Sequence, residues 1–105
     1  MNSPQPIDFG ALAELIGTDD ANHLREVARL FVSSSARMLV RIQECQAAGD
    51  IEGLRIAAHG WKGSAVQVCA APLAEALARI ETSLPQAADA IAEVERRYSA
   101  LNAWI

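Results

Sequence analysis

Between Ile51 and Val68 a series of apolar residues stands at positions 51, 54, 58, 61, 65 and 68, an alternation of three- and four-residue steps. That spacing follows the ~3.6-residue turn of an α-helix and draws one continuous apolar stripe along it. The same steps recur elsewhere. Leu24, Val27, Phe31, Ser34 or Ser35, Met38, Ile42 and Cys45 form one stripe, and Leu73, Leu77, Ile80 and Leu84 another. Ala87, Ile91, Val94, Tyr98, Leu101 and Ile105 form the last. No stretch alternates apolar and polar residues with period two, and no Asn-Gly or Asp-Gly hairpin signal occurs. A chain patterned this way buries its apolar side chains as helices packed on helices.

The punctuation between stripes sets the helix bounds. Residues 1–6, with Pro4 and Pro6, read as a flexible tail, and residues 7–105 as one domain. A short helix is expected over residues 8–16, capped by Asp8 and stopped by Gly17. Thr18-Asp19-Asp20 offers a cap and acidic first turn for a long helix over residues 20–48. Ser33-Ser34-Ser35 would bend that helix without breaking it, since the apolar phase continues across it. Gly49 stops it and Asp50 caps the next helix, residues 51 to 68 or 69. Two more are expected over residues 72–84 and 86–104, separated by Pro85. Four amphipathic helices with short connections predict an all-α, up-down-up-down four-helix bundle, with the short first helix as a lid across one end.

The 105 residues suffice for one core. The chain is 51% hydrophobic but only 5% aromatic, and its alanine and leucine excess favours helix. Eight arginines and one lysine are scattered among thirteen acids, for a net charge of −4. Without a basic cluster there is no nucleic-acid footprint. No apolar run approaches the ~20 residues that span a bilayer, and the N-terminus lacks the basic and apolar regions of a secretory signal. A cytoplasmic protein is expected, and Met1 with its short tail favours a free-standing one. Cys45 and Cys69 read as reduced core thiols, with no CxxC spacing for zinc or redox chemistry.

The chemistry concentrates in His59-Gly60-Trp61-Lys62-Gly63, which holds one of two histidines and the lone lysine. At about 100° per residue, Glu52, Arg55, Lys62, Gly63, Val66 and Ala70 fall within roughly 60° of His59. Ile51, Leu54, Ala57, Ala58, Trp61, Ala65 and Val68 fall on the opposite, core-facing side. His59 therefore points to solvent. Gly60 and Gly63 each weaken a helix interior by ~1 kcal/mol relative to alanine. Two such residues around one exposed histidine suit access to its ring better than an idle surface. A histidine is a nucleophile and proton carrier near neutral pH, and an ammonium one turn away attracts an anion placed on it. These residues read as a phosphorylatable histidine. Ile56, Val66 and Ala70 lie near it without belonging to the core stripe, and with Arg55 and Gln67 they are the candidate partner-docking residues.

Ala58-His59-Gly60-Trp61-Lys62-Gly63-Ser64-Ala65, followed by Ala70, Leu73-Ala74, Leu77 and Ile80-Glu81, resembles the histidine-containing phosphotransfer (HPt) domain family. Ile7-Asp8, Leu30-Phe31 and Gly49-Asp50-Ile51 extend the resemblance over the whole chain. It implies that His59 is the phosphoacceptor, that Lys62 stabilises charge on the phosphoryl group, and that Gly63 gives a partner access. It also implies a monomer whose partners are receiver domains, one in a hybrid sensor kinase and one in a response regulator. The receiver would bring the Mg²⁺, and the chain itself would carry no cofactor or metal. Cys69 stands where the family usually has glycine, and Gly60 and Trp61 where a polar residue and a leucine are usual. No glycine-rich phosphate loop is present, so no ATP-dependent kinase activity is expected of this chain. Two other readings compete. One is a helical interaction module that binds receivers without chemistry, against which the intact His59, Lys62 and Gly63 count. The other is a metal or haem bundle using His59, His23 and the cysteines, for which no Glu-x-x-His motif exists.

Overall fold

The computed structural model describes residues 5–82 and 87–104. They form five helices and, among the described residues, no strand: α1 (Phe9–Ile16), α2 (Ala21–Ala48), α3 (Ile51–Gln67), α4 (Ala71–Thr82) and α5 (Ala87–Trp104). The expected helix ends at Leu84 and Gln86, the Pro85 break and the Ile105 stripe position lie outside the described residues. No described helix is long and apolar enough to cross a membrane.

Side-chain caps account for the starts of the first three helices. Asp8 accepts from Ala11 N at 3.0 Å, Asp20 from Asn22 N at 2.9 Å and Asp50 from Gly53 N at 2.9 Å. Each satisfies an amide that the first helical turn leaves without a partner. Gly17 and Gly49 end α1 and α2 in the left-handed region, at φ 83° and 69°. α2 runs through the serine triplet uninterrupted, with Ser34 Oγ donating to Phe31 O at 3.1 Å.

One core joins the helices. α2 packs on both α3 and α5, and α4 packs on the same two, so the four long helices close a ring. Trp61, fully buried on α3, is its largest side chain. Its indole Nε1–H donates to Ser35 Oγ at 3.0 Å, so the triplet's third serine is the one buried polar residue among the described core. Trp61 also meets Tyr98 of α5 edge-on, with ring centroids 6.2 Å apart. This fixes α3 against α2 and α5 and sets which of its faces remains outside. α1 contacts α2, while Phe9 stacks on Trp104 at 5.1 Å and Asp8 N donates to Cys69 O at 3.0 Å.

Two positions depart from the expected stripe. Ile51 is 56% exposed: as the first residue of α3, eight positions before His59, it lies only about 80° from it at ~100° per residue, on the flank and not on the core side. Ala70 is fully buried and so is not a docking residue. The helix ends at Gln67, and Cys69 then takes φ 60°, which redirects the chain and turns Ala70 inward. Extrapolating the helical phase beyond Gln67 therefore placed Ala70 on the wrong side.

Candidate functional site

His59 stands midway along α3 with its side chain 72% exposed. The bound on its orientation comes from another helix. Near the C-terminal end of α4, Glu81 places Oε2 3.0 Å from His59 Nδ1 and Oε1 2.7 Å from Lys62 Nζ. Antiparallel packing of α3 against α4 makes this contact possible, because residues 22 apart in sequence then lie side by side. Lys62 is one turn beyond His59, so one carboxylate reaches both side chains.

The electrostatics follow from this geometry. The Lys62 ammonium foremost holds the Glu81 carboxyl below its usual range; burial pushes it the other way, and the His59 ring adds a lesser lowering. Oε1 is sealed from solvent, and its contact with Lys62 is a close ion pair whose direction is not that of a good hydrogen bond. An ionised carboxylate can only accept, so Nδ1 carries the proton and donates. In the neutral ring the free lone pair then resides on Nε2. Lys62 in turn neutralises a carboxylate that would otherwise repel an incoming anion.

Access is open where the glycines stand. A Cβ added at Gly63 would meet nothing within 4 Å, and one at Gly60 would only touch Met38 Cε of α2, at 4.0 Å. Around the histidine, Ile56 and Val66 are 63% and 60% exposed, and Arg55 and Gln67 are also exposed, with Arg55 3.7 Å from Glu52. Of the five docking candidates, then, four are exposed on α3 and Ala70 is buried. Glu81 is the residue that sequence reasoning left without a role. The Ile80-Glu81 pair was visible as part of a family pattern, but nothing in helical periodicity connects α4 to His59. His23 is exposed near the start of α2, and among the described residues no group of three or more histidines, cysteines or acids could hold a metal.

The sequence profile of the Hpt domain matches residues 26–104. The chain belongs to the Hpt domain family. Among solved structures, it is similar to histidine-containing phosphotransfer protein B from Pseudomonas aeruginosa, with 27% sequence identity and a TM-score of 0.80 over 94% of this chain and 90% of that one. A comparison with curated protein sequences finds no significant match. Membership makes this Hpt domain a component of two-component phosphorelays.

Proposed function

We propose that this Hpt domain is a phosphorelay intermediate that takes a phosphoryl group onto His59 from a receiver-domain aspartate and passes it to a second receiver. The carrying observation is the Nδ1–Glu81 hydrogen bond at 3.0 Å on a largely exposed ring. In the neutral ring it leaves Nε2 as the unprotonated nitrogen, on a side chain that a partner can reach. In the forward step the Nε2 lone pair attacks phosphorus in line, the N–P bond forms, and the P–O bond to the aspartate breaks to release its carboxylate. In the return step a second aspartate oxygen attacks the same phosphorus and the N–P bond breaks. Lys62 offsets the Glu81 charge while the phosphoryl group is on the ring, and Gly63 leaves room for the receiver to close over it. The receiver supplies the Mg²⁺. Arg55, Ile56, Val66 and Gln67 form the surface on which it docks, and the molecule acts as a cytoplasmic monomer.

We read the scaffold as an up-down-up-down bundle of α2 to α5 with α1 across one end. The closed ring of helix contacts and the stacking of Phe9 on Trp104 support that arrangement.

The test is phosphotransfer from a phosphorylated receiver. The wild type acquires label that survives alkali and is lost in acid, as a phosphoramidate is, and His59→Gln acquires none while its helical content is unchanged. Label that persists in that variant, or that maps to His23, overturns the assignment. Tight receiver binding with no transfer to the wild type would leave the domain a non-catalytic interaction module.

A further inference from the structure

Charge is unevenly divided over this acidic molecule. Six of its nine basic residues and three of its thirteen acids lie on α2 and α3, a formal +3 against −7 for the rest of the chain. Two of those cations are Arg37 and Arg41, one turn apart on α2 and both exposed. Met38 of the same helix touches the space above Gly60, the neighbour of His59. At about 100° per residue, Arg37 and Arg41 both lie within about 100° of Met38, on the outward flank of α2 beside α3. They also lie within one turn of its level, ~5 Å along the axis. Arg25 and Arg29 occupy the other flank, the one on which Gln43 donates to Glu95 of α5 at 2.8 Å. Among the described residues Arg37 and Arg41, like Arg25, Arg29 and Arg79, make no ion pair, whereas Arg55, Lys62, Arg96 and Arg97 do, so it is their place beside Gly60 that sets Arg37 and Arg41 apart.

We infer that Arg37 and Arg41 form a cationic rim beside His59 that steers a receiver with an acidic docking face. The inference rests on the proposed phosphotransfer from receivers. A partner that presents an acyl phosphate together with carboxylates that hold a divalent cation carries negative charge at the point of contact, so opposite charges meet. Exposed charges near an interface act mainly on the association rate, and salt screens them over ~10 Å at 0.1 M.

The experiment measures binding kinetics of purified, unphosphorylated receiver domains from the source organism, by surface plasmon resonance at low and high salt, alongside the transfer assay. Arg37→Gln/Arg41→Gln is expected to slow association of acidic-faced receivers by about three- to tenfold at low salt, with dissociation little changed and the difference vanishing at high salt. Arg25→Gln/Arg29→Gln removes the same charge from the other flank and is expected to bind at the wild-type rate. Equal slowing by both pairs would reduce the effect to net charge and overturn the rim. Unchanged kinetics in Arg37→Gln/Arg41→Gln, with transfer intact, would also overturn it while leaving the phosphotransfer reading standing. Arginine-dependent binding without any transfer would do the reverse. If no receiver binds the wild type, both fall.

Discussion

Replacing Glu81 tests the site most directly, because that one carboxylate fixes the tautomer of His59 and the position of Lys62. A hydrogen bond to a charged group contributes about 1.5–3 kcal/mol in a protected setting. Here the ring is 72% exposed, so solvent competes and ~1 kcal/mol is the appropriate scale. Since 1.36 kcal/mol corresponds to tenfold, Glu81→Ala is expected to slow transfer at saturating receiver by about five- to tenfold. Glu81→Gln is not a neutral exchange. Its amide has one oxygen for two cationic or donor neighbours. With that oxygen turned to the Lys62 ammonium, the NH₂ faces Nδ1, becomes the donor, and moves the ring proton to Nε2, where it blocks attack. Glu81→Gln is therefore expected to be at least as slow as Glu81→Ala. Single-turnover transfer gives the rates, and nitrogen chemical shifts of the ring at pH 8, above the ordinary imidazole range, report the tautomer. Wild-type transfer rates in Glu81→Ala, or an unchanged ring tautomer in Glu81→Gln, would refute the reasoning.

Further outcomes are expected of single positions in the scaffold. Ser35→Ala strands the buried indole N–H of Trp61 and should destabilise the fold by about 1–3 kcal/mol in denaturant unfolding, without altering His59 chemistry if refolded protein is assayed. Gly63→Ala should stabilise by up to ~1 kcal/mol because its Cβ meets open space, whereas Gly53→Ala should gain nothing or lose stability, since its Cβ would lie 2.8 Å from Cγ of the capping Asp50. A bulky Gly63→Gln should fold normally and transfer slowly. Cys69→Gly relieves a left-handed backbone at φ 60° and should raise the melting temperature, the relief of ~1 kcal/mol exceeding the added freedom of the unfolded chain.

Much of this architecture is local and was legible in the sequence. Asp8, Asp20 and Asp50 cap helices through bonds to residues two or three positions ahead, and Gly17 and Gly49 stop them through their own backbone angles. The phase that turned Trp61 and Leu54 inward and His59, Ile56 and Val66 outward is a property of one helix and its residue spacing. It needs no knowledge of the neighbours beyond their existence. Tertiary structure decided what depends on which helices lie side by side and at what height. It placed Glu81 against His59 across 22 residues, paired Ser35 with Trp61 across 26, and put Met38 over Gly60. It buried Ala70 because Cys69 left the helix before the phase reached it. Periodicity tells a side chain which way to face. The partner it meets is set by packing, and at His59 that partner determines which ring nitrogen can act.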